Sequence, residues 1–170
     1  YAFGPPPAFQ LNDAGEVVFE AITRTGPSGP DLPTVYRWDA TQGLRPVVAV
    51  ADSNQLGGAF PLGDFSPLLG PGGHVAFADS FRLPAALYVQ DRDGVVEMRH
   101  AAGDPAPGVP GATFAVFGMD IWVILGRVGG SFAMNAAGHL AFIALVPEEG
   151  TLCGRGGAWA EDASGMPNLR

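Results

Sequence analysis

Apolar runs of about four to eight residues alternate along this chain with clusters of Gly, Pro, Asp and Asn, a pattern that predicts short β-strands separated by tight turns. A first strand is expected at 17–22, 75–78 and 140–146, a second at 34–38, 86–90 and 157–161, and a third at 44–51 and 95–100. Each second strand runs into an Asp-to-Gly turn, at Asp39–Gly43, Asp91–Gly94 and Asp162–Gly165. There the Asp side chain caps the turn and Gly supplies a positive φ. Phe-containing segments at 60–65 and 114–118 close the units, and Tyr1-Ala-Phe3-Gly4 is in phase with them. Val17-Val18-Phe19 and Leu140 to Val146 are nearly continuous apolar runs. Continuous runs are expected of strands covered on both faces, as when sheets stack on one another. No stretch of a dozen residues carries the capped, amphipathic pattern of a helix.

One phrase marks the start of each unit. It reads Asn12-Asp-Ala-Gly15-Glu-Val-Val-Phe19, then Gly70-Pro-Gly-Gly73-His-Val-Ala-Phe77, then Asn135-Ala-Ala-Gly138-His-Leu-Ala-Phe142. From Gly15 to Gly73 is 58 residues, and from Gly73 to Gly138 is 65. A phase-locked repeat of this length means copies of one supersecondary unit. The expected fold is all-β: antiparallel four-stranded repeats, propeller-like, about two and a half units long. The units run 9–64, 65–131 and 132–170, the last incomplete. The repeat residues Asn12, Gly15, Phe19, Gly73, Phe77, Asn135, Gly138 and Phe142 are expected to be structural. Gly70 replaces Asn in the middle copy; since Gly also tolerates positive φ, this suits a turn-forming role for Asn better than a ligand role.

The Asn-x-x-Gly-x-x-Ala-Phe phrase, intact at Asn135–Phe142 and near-intact at Asn12–Phe19, is joined by Gly103-Asp-x-Ala-Pro-Gly108 followed by Phe114-x-x-Phe117-Gly118. Together these resemble the bacterial choice-of-anchor tandem-repeat proteins. The resemblance implies an exported or cell-surface β-repeat protein of propeller-like type, with no established activity.

Composition narrows the partners. Charged residues make up only 15%, hydrophobic residues 47%, and the formal net charge is −8. The nine cationic residues are all arginines and are scattered, so no basic patch suits a nucleic-acid backbone. The longest bulky apolar run, Ile121-Trp122-Val123-Ile124-Leu125, is far too short to span a membrane. It lies in an insertion, 119–131, and is the candidate assembly surface, since an apolar β-prone loop must be covered by its own core or by a neighbour. Cys153 is alone, so no intrachain disulfide forms.

Candidate chemistry is sparse. His74 and His139, with Glu16 at the same position in the first unit, could suggest metal ligands, but equivalent positions in successive units converge only on a central axis. Asp91-Arg-Asp93-Gly94 starts like a calcium loop and lacks the distal ligands. Asp13, Asp52, Asp64, Asp79 and Asp104 offer carboxylates without a catalytic phrase around them. Tyr36, Trp38, Tyr88 and Trp159 on the second strands are expected in the inter-sheet core, or as a stacking platform for sugars. No catalytic residue, metal or cofactor is expected. A propeller closes with at least four units, so a shorter array leaves uncovered ends. The expectation is a non-catalytic, extracellular or cell-surface structural protein that associates with itself head to tail, a filament subunit in the fullest form. The alternative is a binding module for a glycan or protein ligand.

Overall fold

The computed structural model describes residues 9–24, 31–49, 67–79, 85–117, 132–147 and 155–170. They form three antiparallel sheets and no helix. The first sheet is the meander β1 (Phe9–Leu11), β2 (Val17–Arg24), β3 (Asp31–Asp39) and β4 (Gly43–Ala49). The second is β5 (Leu68–Leu69), β6 (Val75–Asp79), β7 (Ala86–Gln90) and β8 (Val96–Ala101). In the third, β10 (Phe132–Met134), β11 (Leu140–Val146), β12 (Arg155–Glu161) and β13 (Pro167–Leu169) repeat the order, and β9 (Val116–Phe117) also pairs with β11.

The expected strands and turns are present, with three differences. First, the third sheet gains a fifth strand, β9, beside its four-stranded order. Each sheet opens with a short strand just before the Asn or Gly70 turn; of the Phe-containing segments, 114–118 supplies β9 to the third sheet and 60–65 lies outside the described residues. Second, β2 and β3 continue into the Pro/Gly-rich connection, where Thr23 pairs with Leu32 and Arg24 with Asp31. Pro33 lies in this extension, opposite Ile22. Third, Gly70 is not among the positive-φ glycines. Its role is close approach: a Cβ there would lie 2.7 Å from the Met134 sulfur of the third sheet.

The turns explain the repeated phrase. Asn12 Oδ1 accepts from the backbone N–H of Ala14 (3.1 Å) and Glu16 (3.0 Å). Asn135 Oδ1 does the same for Ala137 (2.9 Å) and His139 (3.0 Å). Gly15, Gly73 and Gly138 close these turns at φ of 76°, 78° and 84°, a region that carries a steric penalty for any residue with a Cβ.

Register builds the layers. In an antiparallel pair, directly opposed residues share a face. One row of the first sheet is thus Phe9, Phe19 and Tyr36, and the next is Leu11, Val17, Trp38 and Leu44. The second sheet repeats them with Phe77 and Tyr88, then Leu69, Val75, Gln90 and Val96. In the third they are Phe132, Phe142, Trp159 and Leu169, then Met134, Leu140, Glu161 and Pro167. We call this the front of each sheet. Val18 and Val35, in the odd phase, point to the back.

Sheets stack front to back. The front of the second sheet (Leu69, Val75, Phe77, Ala86, Tyr88) forms one buried cluster with Val18, Val35, Val47 and Val48 from the back of the first. The front of the third (Leu140, Phe142, Trp159) clusters with Ala76, Ala78, Leu87 and Val89 from the back of the second. The middle sheet is therefore covered on both faces, and every residue of β7 is buried. That is the reason its strands lack strict alternation, whereas β11 alternates buried and exposed residues at its start. Each large apolar side chain enclosed between the sheets contributes about 1.5–3 kcal/mol.

Candidate functional site

At one end of the stack, the front of the first sheet carries the same residue types that are enclosed in the other two sheets. Phe19 and Tyr36 stack with centroids 5.7 Å apart, as Phe77 and Tyr88 do at 5.3 Å. Phe77 is fully buried, yet on the first sheet Phe9 is 70% exposed, Leu11 66%, Leu44 58% and Trp38 41%. These side chains put large apolar area in water on one face of the sheet.

At the other end lies the back of the third sheet. Small side chains, Ala133, Ala141, Ala158 and Ala160, line a shallow trough beside Ile143 and Arg170. Ile143 is 40% exposed. In the second sheet the equivalent back positions, Ala76, Leu87 and Val89, receive Phe142 and Trp159. The two ends of the stack are thus a knobbed aromatic face and a trough of small residues.

The turns carry a second inter-sheet contact, along one side of the stack. A Cβ on Gly73 would lie 2.8 Å from the Glu16 carboxylate, and one on Gly138 would lie 2.9 Å from the His74 ring. The side chain after each glycine therefore rests on the glycine of the following sheet. Glu16 is held in place by Asn12 Nδ2 (2.6 Å) and by Arg37 (2.5 Å). Burial would raise its carboxyl, but these donors and the charges of Arg37 and Arg92 hold it below the usual range. Burial, and then Arg92, hold the His74 imidazole below its usual value. A Cβ on Gly15 would meet nothing within 4 Å, and His139 extends from the third turn.

Glu16, His74 and His139 do not form a metal centre among the described residues, where no three His, Cys, Asp or Glu side chains converge. The Asp turns use their carboxylates on backbone N–H groups. Asp91 accepts from Val95, and Asp162 accepts from Ser164 and Met166. The Ser164 hydroxyl and then its N–H pull Asp162 down to about 2. Asp104 caps the turn after β8 through the Ala101 N–H. Asp52, Asp64, Cys153 and the expected assembly surface Ile121–Leu125 lie outside the described residues. Of the four second-strand aromatics, Tyr88 and Trp159 are in the inter-sheet core, while Tyr36 and Trp38 stand on the uncovered front.

Sequence reasoning missed one polar contact in the core. His100 on β8 and Glu161 on β12 meet at 2.8 Å, their side chains 7% and 0% exposed. Glu161 also accepts the Leu140 N–H at 2.8 Å, and the imidazole packs 4.9 Å from the Phe142 ring. The pair is 61 positions apart in the chain, and Glu161 takes the place of Gln90 and Trp38 in the other units, so no local pattern announces it. Enclosed between two sheets, it bonds the second to the third. A cleft of about 640 Å³ opens beside Trp159, between the 108–112 turn and β11–β13; among the described residues, Arg155 is the one charged side chain lining it.

No helix among the described residues is long and apolar enough to cross a membrane. Comparison with curated proteins finds no match, and comparison with solved structures finds none either. A family model does match, over residues 2–169. The three stacked meanders, with their repeated turns, are thus the architecture of a chain that belongs to a family of unknown function (DUF7453).

Proposed function

We propose that this chain is a non-catalytic structural protein of the cell surface or extracellular space that associates with itself through the open ends of its sheet stack. The observation that carries this reading is the exposed front of the first sheet. Its Phe19 and Tyr36 repeat the Phe77–Tyr88 and Phe142–Trp159 pairs that the second and third sheets bury against a neighbour, and Trp38 stands where those sheets carry Gln90 and Glu161. Apolar surface left in water is a standing driving force of about 25 cal/mol per Å² for whatever covers it. The titratable groups support a structural role too: Glu16 and Glu161 are both engaged in holding sheets or turns together.

Sedimentation velocity over a wide concentration range tests the reading. Mass that grows with concentration supports it; a strict monomer at the highest concentration refutes it.

A second reading rests on Trp38 and the Tyr36–Phe19 stack. Exposed aromatic rings on a flat sheet can hold a sugar ring by stacking. On that reading Trp38→Ala abolishes glycan binding on an array and leaves sedimentation unchanged.

A further inference from the structure

We infer that the self-contact is polar and in a defined register: the back of the third sheet in one copy seats on the front of the first sheet in a second copy, with His139 resting on Gly15. This rests on the self-association proposed above and adds to it the two surfaces, their orientation and the turn that sets their alignment.

Two internal junctions supply the rule. From the first sheet to the second, the back residues Val18, Val35 and Val48 receive the front residues Phe77 and Tyr88, and Glu16 rests on Gly73. From the second to the third, the back residues Ala76, Leu87 and Val89 receive Phe142 and Trp159, and His74 rests on Gly138. Both steps run the same way, back to front, with the side chain after one glycine lying on the next glycine. Continuing by one step requires a back face without a follower, a front face without a predecessor, a side chain after a glycine without a seat, and a glycine without an occupant. The described residues provide all four. They are the trough of Ala141, Ala158 and Ala160, the exposed Leu11, Trp38 and Leu44, His139, and Gly15 with open space above it.

Shape agrees with the rule. Small residues in the trough face large rings on the front, as Ala76 and Ala78 face Phe142 and Trp159 inside the chain. The same contact cannot be made front to front, because two knobbed aromatic faces leave gaps where a trough is needed. A contact between two different surfaces is heterologous and repeats until it closes a ring or grows into a filament.

The test uses two variants of the full chain, each with one end disabled. Trp38→Asp/Leu44→Asp places charge on the exposed front; Ile143→Asp/Ala158→Asp places it on the exposed back. Circular dichroism and thermal melting first establish that both retain the wild-type fold; a variant that does not is replaced by its single substitutions Leu44→Asp or Ala158→Asp. If the inference is right, wild type grows with concentration, each variant alone is monomeric, and their mixture forms a one-to-one dimer and nothing larger. If wild type grows but either variant alone still dimerises, or the mixture stays monomeric, the polar contact is refuted while self-association stands. A monomeric wild type refutes both.

The register has its own test. Gly15→Arg fills the seat of His139, and Gly94→Arg is its control, with a similar left-handed φ (76° and 90°) and equally open space. Gly15→Arg should weaken association about tenfold or more, and Gly94→Arg should leave it within about twofold, differences read directly as ratios of dissociation constants. Equal effects refute the register.

Discussion

Phe19 and Phe77 occupy the same position of the same repeat, stack on the same kind of partner, and differ only in what lies above them. Phe77 with Tyr88 is enclosed by the back of the first sheet. Phe19 with Tyr36 forms the same stacked pair on a face that still exposes Phe9, Leu11, Trp38 and Leu44. The local pairing of rings is therefore a property of the hairpin, and their burial is a property of the neighbour. On the proposed self-association, this open face is where the next sheet would seat.

The sharpest way to break this comparison is to truncate a tryptophan on each side of it. Trp159→Ala removes a fully buried ring that packs at 5.0 Å on Phe114 and donates from its indole N–H to Pro107 O (3.0 Å). It should lower the unfolding free energy by about 3–5 kcal/mol. Trp38→Ala, on the open front, should change the stability of the monomer by about 1 kcal/mol or less. Equal losses in urea unfolding would mean that the front of the first sheet is already covered.

The turns allow the same contrast at lower amplitude. In the middle unit, a Cβ on Gly72 would lie 1.9 Å from the Ala136 carbonyl oxygen of the next turn. Gly72→Ala must push two backbones apart and should destabilise by about 3 kcal/mol, the upper part of the usual range for overpacking. Gly15→Ala meets no neighbour and bears only the left-handed φ, so about 1 kcal/mol is expected. If Gly15→Ala proves the more harmful in thermal melts, the seat on Gly15 is occupied within a single chain.

A smaller effect distinguishes the two explanations of Gly70. Restoring the repeated phrase with Gly70→Asn should destabilise by about 1 kcal/mol, because the new side chain meets the flexible Met134. Adding Met134→Ala should remove most of that penalty, a coupling that a double-mutant cycle reads directly. Additive effects would return the explanation to backbone conformation.

The weakest signal is a pH dependence. His74 binds its proton less readily in the folded chain than the ordinary value of 6.5, because of burial and then Arg92. Above about pH 6.5 its imidazole is neutral in both states, and the full stability is present. As pH falls below that value, the unfolded chain takes up the proton first, so stability declines until the folded value is reached. His74→Gln should flatten this limb between pH 6.5 and the folded value in melts. Asp162, drawn down to about 2, adds a second limb in which stability falls as pH drops from the ordinary carboxylate range towards 2. Only the first limb should respond to His74→Gln.

Much of the architecture was legible because its causes are local. Asn12 and Asn135 bond the N–H groups two and four residues on, and the Asp turns do likewise. Hairpins follow from such turns. The apolar runs at 17–19 and 140–146 were expected in strands covered on both faces, but β11 alternates buried and exposed residues at its start, and the strand buried throughout is β7. Less local features escaped. The first strand of each sheet is only two or three residues long, too short for any periodicity to register. The aromatic positions were recognised, but Trp38 was grouped with Trp159 although it stands one residue before its turn Asp, in the row of Gln90 and Glu161, whereas Trp159 stands three before, in the row of Tyr36 and Tyr88.

What the chain determined by itself is the unit: Gly, Asn and Asp set the turns through their own backbone preferences and short side-chain reach, and alternation around them set the strands. What only the tertiary structure decided is the relation between units. Gly70 and Gly72 are explained by atoms of the third sheet, His100 by a carboxylate 61 residues away, and the candidate site by a front face that lacks the covering its repeats possess. Stacking is a contact between surfaces, and a surface is assembled from residues of several strands whose meeting no single stretch of sequence can express.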